Sequence, residues 1–155
     1  MEIKYKIAEM FFENKLDLSV AESFTGGSIS AEITSVPGVS GFFKEGIVCY
    51  SNQAKHERLG VDLQIINRYG AVSEQVAYEM LKGLKTYFGL ATTGNAGPTA
   101  EKDNDVGHCF IGIKIGDNYD VYEYSFEGAR KDVISQGRQT ALELLCKGLL
   151  SIKDK

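Results

Sequence analysis

Long apolar runs are missing from this sequence, and none approaches the roughly 18 residues that a membrane-spanning helix requires. The opening Met1-Glu2-Ile3-Lys4-Tyr5-Lys6 also lacks the apolar centre of a secretory signal. The two absences set the expectation of a cytoplasmic protein without a membrane partner. Cysteine is scarce: Cys49, Cys109 and Cys146 are three, far apart and without C-x-x-C spacing. That pattern argues against a disulfide framework and against a zinc cluster, and all three are expected as reduced core residues. An excess of positive charge is lacking too. With 17 Lys+Arg against 21 Asp+Glu, the net charge is −4, which gives no general attraction to nucleic acid and leaves room only for a local basic cluster holding a small anion. Histidine is limited to His56 and His108, so a serine–histidine–aspartate triad has few ways to assemble. G-x-S-x-G, a P-loop and a helical His/Glu metal motif are all absent.

What is present fits one globular domain. The 155 residues are 43% hydrophobic and 25% charged, with no repeat and no low-complexity tail, so a single domain over residues 1–155 is expected. Apolar spacing near 3.6 predicts a helix over residues 3–14, with Ile3, Ile7, Met10 and Phe11 on one face, and a short helix opening at Ser28. Between them Leu16, Leu18, Val20 and Ala21 read as a buried strand. The run Gly46-Ile47-Val48-Cys49-Tyr50 reads as a second strand in a central position. Asn52 is expected to cap a short helix carrying Lys55, His56 and Leu59. Another helix is predicted over residues 62–69, closed by Gly70, and Ser73 caps a longer one reaching residue 87. A third strand covers residues 90–93; residues 106–115 and 119–126 form a hairpin around Gly116-Asp117-Asn118; and a final helix covers residues 129–152. Helices interleaved with strands, plus a hairpin, imply an α/β fold with a mixed sheet covered on both faces.

Three strand ends carry small polar or glycine-rich segments. The first is Glu22-Ser23-Phe24-Thr25-Gly26-Gly27, the second Tyr50-Ser51-Asn52-Gln53-Ala54-Lys55, the third Gly94-Asn95-Ala96-Gly97-Pro98. In sheets of this kind ligands collect outside the carboxyl ends of strands, so these loops are expected to meet. Glycines at such corners permit positive φ and close approach of a ligand, and amides near Gly26 or from Gly94 to Gly97 are candidates for an oxyanion site. Ser23 and Lys55 then resemble the parts of a Ser/Lys hydrolase, with Tyr50 relaying a proton or holding the serine. Serine needs a base, and an unperturbed lysine, near 10.4, is protonated at neutral pH. Burial can lower that value by roughly 3 to 5, which makes the role chemically reachable. The same residues also fit ordinary caps and turns, with Lys55 as a solvated surface charge.

Taken in order, these motifs resemble the CinA C-terminal domain family, whose stand-alone members include nicotinamide-nucleotide amidases. The segment 21–27, AESFTGG, is similar to that family's A-E-S-C-T-G-G with Phe24 in place of cysteine; segment 50–55 matches Y-S-N-x-x-K, 70–74 matches G-A-V-S-E, and 94–98 matches G-x-A-G-P. The resemblance implies a three-layer α/β/α fold and hydrolysis of nicotinamide mononucleotide to nicotinate mononucleotide and ammonia, with no metal or organic cofactor. By position it implies Ser23 as nucleophile, Lys55 as base and Tyr50 in support. Thr25, Gly26, Gly27, Asn52, Gly94, Asn95, Ala96 and Gly97 are implied around the substrate, and Arg130, placed in the loop before the last helix, as a phosphate ligand. The expected partner is a small pyridine mononucleotide, with assembly into a homo-oligomer left open. A second reading is a catalytically silent nucleotide-binding or regulatory domain. Two departures from the pattern stand out: Asn95 where isoleucine is common, and a short segment 99–105, bearing Glu101, Asp103 and Asp105, where the family carries glycines. Its acids set the expectation of a slower or differently selective amidase.

Overall fold

The computed structural model of the chain describes residues 1–100 and 104–153. Glu101 and Asp103 lie outside that range. In chain order the elements are α1 (Ile3–Asn14), β1 (Leu18–Glu22), α2 (Ser28–Thr34), β2 (Phe43–Val48), α3 (Asn52–Leu59) and α4 (Leu63–Tyr69). They continue with α5 (Glu74–Lys82), β3 (Phe88–Gly94), β4 (His108–Ile115), β5 (Asn118–Ser125) and α6 (Arg130–Lys153). The sheet runs β2-β1-β3-β4-β5. β1 pairs in parallel with β2 and β3, Leu18 opposite both Phe43 and Phe88; β4 and β5 join antiparallel, Phe88 opposite Ile115 and Ile115 opposite Asn118. The mixed sheet expected from the pattern is therefore present.

β1 is buried at every position, and its alternation divides the core. Leu18 and Val20 face a cluster that includes Ile7 and Phe11 of α1, Ile29 of α2 and Leu145 of α6, while Ala21 faces Leu59, Ile66, Val76 and Met80 of α3, α4 and α5. Helices thus cover both faces, giving three layers. No helix among the described residues is long and apolar enough to cross a membrane.

Several local expectations are corrected. The second strand begins at Phe43 and lies at the sheet edge rather than centrally, with Lys44 and Glu45 exposed. The five-residue run 46–50 carries no information about neighbours, and β1 and β3 take inner places. The cap of α3 is Ser51, whose hydroxyl accepts the Ala54 amide at 3.0 Å, and Asn52 is the helix's first residue. Both residue types cap well, so sequence alone does not choose between adjacent ones. Ser73 does cap α5, accepting the Val76 amide at 3.2 Å, but that helix stops at Lys82. Arg130 opens α6 instead of preceding it.

Candidate active site

The parallel strands β1, β2 and β3 end on the same side, and that side carries a cavity of about 240 Å³. Ser23, Phe24, Tyr50, Asn52, Lys55 and Arg130 all face it. Ser23 follows β1 directly and is 7% exposed; Lys55, on the inner face of α3, is 1% exposed. Its Nζ lies 3.1 Å from Ser23 Oγ and 3.3 Å from the Tyr50 carbonyl oxygen. A fully buried lysine aimed at a serine is rare enough that solvated surface charge does not describe it.

The turn beyond Ser23 is built by its neighbours. Gly26 and Gly27 take φ of 64° and 97°, values open to glycine and strained for other residues. They turn the chain so that α2 starts at Ser28. Glu22 is wholly buried and faces that helix, its carboxylate accepting the amides of Ile29 and Ser30, each at 2.9 Å, and the Ser30 hydroxyl at 2.7 Å. It therefore serves as an anionic cap at a helix N-terminus. Thr25 turns its hydroxyl onto Thr92 at 2.9 Å, and Gly26 donates its amide to the Ser23 carbonyl at 3.0 Å.

Tyr50 is 56% exposed, and its hydroxyl accepts from the Arg130 guanidinium. A second guanidinium nitrogen of Arg130 donates to the Gly97 carbonyl at 2.6 Å. The aromatic ring thus sits at the cavity mouth beside Arg130, while the Tyr50 main chain holds Lys55. Asn52 is at the exposed rim. Gly94, Asn95 and Ala96 line the opposite wall. The Asn95 amide donates to the His108 carbonyl at 3.0 Å and the Gly97 amide to Asn95 Oδ1 at 3.0 Å. Three amides considered for an oxyanion site, those of Gly26, Asn95 and Gly97, are therefore engaged within the protein.

The histidines have other partners: His56 Nδ1 meets the Val61 carbonyl at 2.8 Å, and His108 sits between Asn104 and Glu123, 2.6 Å from each. Cys49 and Cys109 are fully buried. Burial pushes the Cys49 thiol up against an opposing pull from Lys55, and pushes Cys109 up to about 12; neither is a ready nucleophile.

Thr92 and Thr93 escaped the sequence reading. Thr92 Oγ1 accepts the Ser23 amide at 3.2 Å, and the Thr93 hydroxyl donates to the Ala71 carbonyl at 2.6 Å. Ala71 and Val72 also line the cavity. The available signal was a pair of hydroxyls ending an otherwise apolar strand. A larger groove of about 700 Å³ lies between α4, α5 and β5, lined by Arg68, Tyr69, Tyr78 and Tyr119 among others. Its lining has no serine or cysteine beside a lysine or histidine, the pairing that Ser23 and Lys55 make in the smaller cavity.

Fold and cavity together define a class: a three-layer α/β protein with a buried serine–lysine pair where its parallel strands end. The model of the CinA C-terminal domain matches residues 1–149, and the chain belongs to that family. A CinA-like protein of Fusobacterium nucleatum is 46% identical over 136 residues, covering 87% of this chain and 34% of that protein. A CinA-like protein of Flavobacterium psychrophilum is 42% identical over 149 residues, 93% of this chain and 36% of that one. The chain thus spans about a third of the length of these relatives. Among solved structures, a CinA superfamily protein from Klebsiella pneumoniae superposes with a TM-score of 0.93 at 25% identity, covering 96% of each chain. A competence/damage inducible protein from Agrobacterium tumefaciens gives 0.90 at 32%, covering 94% of this chain and 93% of that one.

Proposed function

We propose that this chain is an amidohydrolase acting on the carboxamide of nicotinamide mononucleotide, with Ser23 as nucleophile and Lys55 as base. One observation carries the reading: a lysine with 1% exposure holds its amine 3.1 Å from a buried serine hydroxyl at the carboxyl ends of parallel strands. The turnover begins with Lys55 as a neutral amine. It takes the Ser23 proton as Oγ attacks the carboxamide carbon, and the ammonium so formed lies beside the developing oxyanion and favours it. Collapse of this adduct breaks the carbon–nitrogen bond; Lys55 returns the proton to the departing nitrogen and ammonia leaves. Water then attacks the acyl–Ser23 ester with Lys55 again as base, releasing nicotinate mononucleotide and restoring the hydroxyl. Arg130 at the cavity mouth suits the phosphate, because a guanidinium can pair with two phosphate oxygens at once.

The test is incubation with nicotinamide mononucleotide while following ammonia and nicotinate mononucleotide. Equal amounts of both products are expected, and Lys55→Met, which accepts no proton, should lose at least about a hundredfold in rate. Tight binding of the nucleotide without ammonia would instead identify a silent binding domain. Normal turnover by Lys55→Met would end the Ser/Lys mechanism.

A further inference from the structure

The side chain of Asn95 makes three hydrogen bonds at 6% exposure. Its Oδ1 accepts the Gly97 amide at 3.0 Å, while its Nδ2 donates to the carbonyls of Thr99 at 3.2 Å and Asn104 at 3.3 Å. Its main chain is tied as well: the amide reaches the His108 carbonyl, and its carbonyl accepts the Gly107 amide at 2.7 Å. One residue therefore ties Thr99 to Asn104 and fixes Gly97. Gly97 has a φ of 86°, and its carbonyl is the acceptor that holds Arg130 at 2.6 Å. The Arg130 contacts with Gly97 and Tyr50 are both to neutral oxygens, so they orient the guanidinium without cancelling its charge.

From this chain of contacts we infer that Asn95 is a positioning residue that sets substrate selectivity: through Gly97 it aims Arg130 at the cavity mouth and so favours amides that carry a phosphate. The inference rests on the amidase reading above. An apolar side chain at position 95 leaves the Gly97 amide and two carbonyls without their partner, and the Gly97 carbonyl is then free to rotate away from Arg130. A serine can still accept the amide two residues on, as side-chain hydroxyls do in tight turns, but it does not reach Thr99 or Asn104.

The experiment compares Asn95→Leu, Asn95→Ser, Arg130→Ala and Asn95→Leu/Arg130→Ala, each assayed with nicotinamide mononucleotide and with the phosphate-free riboside. Asn95→Leu should raise KM for the mononucleotide about tenfold, the scale of one hydrogen bond to a charged group, with kcat within about twofold. KM for the riboside, which lacks the phosphate, should rise several-fold less. The double variant should be no worse than Arg130→Ala, and Asn95→Ser should retain most of the selectivity. Equal losses on both substrates, additive losses in the double variant, or a Ser variant as poor as Leu would overturn the proposal. A crystal structure of Asn95→Leu supplies a readout free of substrate: an intact contact between Arg130 and the Gly97 carbonyl would overturn it as well. If the wild-type protein released no ammonia, the amidase reading would fail, and this crystallographic readout would still decide the positioning of Arg130.

Discussion

The two ends of the sheet differ in balance: the amino end is mainly aromatic and aliphatic, with Ser19, Thr86 and Lys114 as its buried polar groups, and the carboxyl end is mainly polar. At the amino ends of the strands, Phe11 stacks on Phe42 with ring centres 4.5 Å apart and meets Phe88 edge-on at 5.3 Å, beside Leu18. At the carboxyl ends, Ser23, Thr25, Lys55, Thr92, Thr93 and Asn95 are all buried. Aromatic packing of the first kind supplies stability in proportion to the area removed from water. Polar groups of the second kind contribute little net stability and demand partners, and most of the buried ones lie at the carboxyl end. The difference teaches how to separate the two roles by substitution.

The largest effect is expected from Ser23→Ala. Loss of the nucleophile should lower the rate by about a thousandfold or more, with the melting temperature shifted by only a few degrees. A folded Ser23→Ala protein that still releases ammonia would reduce Ser23 to a structural hydroxyl. The mirror experiment is Phe11→Ala, which should cost about 3–5 kcal/mol by chemical denaturation while leaving kcat of the folded fraction nearly unchanged. A selective loss of kcat there would break the division between the ends.

Next comes Gly137→Ala within α6. Replacing a helix-interior glycine by alanine ordinarily gains up to about 1 kcal/mol. Here a Cβ at position 137 would lie 2.6 Å from the Phe24 ring, which is itself packed against Ala96, Cys109 and Val133. The sign should therefore reverse, to a loss of about 1–3 kcal/mol, and Phe24→Cys should relieve it. A stabilised single variant would show that the ring yields. The smallest effect is assigned to Thr92→Val, which removes the acceptor of the Ser23 amide. It should lower kcat about tenfold, a loss that Thr92→Ser restores; an unchanged kcat would remove Thr92 from the positioning of the nucleophile.

Much of this was legible in the chain. The succession of helices and strands along the chain, the capping serine at position 73, and the convergence of three polar strand ends all follow from short-range pattern, and they bring Ser23 and Lys55 together. What escaped depends on distant partners. Nothing in Gly46-Ile47-Val48 tells an edge strand from a central one, because burial there is decided by which strand lies alongside. Thr92 looks like any strand-forming threonine until Ser23, 69 residues earlier, presents its amide. Glu22 stands in the sequence only as one of the polar residues at the first strand end, and the start of α2 reveals the three groups it holds. Phe24, placed where a cysteine is usual, depends on two glycines far along the chain: a Cβ at Gly94 or Gly137 would come within 3.0 Å of its ring.

α6 has 24 residues, and at 1.5 Å per residue it is a rod about 36 Å long. Its first residue holds Tyr50 and Gly97 at the cavity, its second turn rests on Phe24, and near its far end Gly148 fits against Ile113, Ile115 and Phe88. The aromatic floor is thus the fulcrum from which the guanidinium is extended. A side chain at position 148 would crowd Ile113 and Ile115, some 18 places along the same rod from Arg130. A helix that reads as a mere cover for the sheet is in mechanical terms also the beam that carries a guanidinium to the cavity mouth.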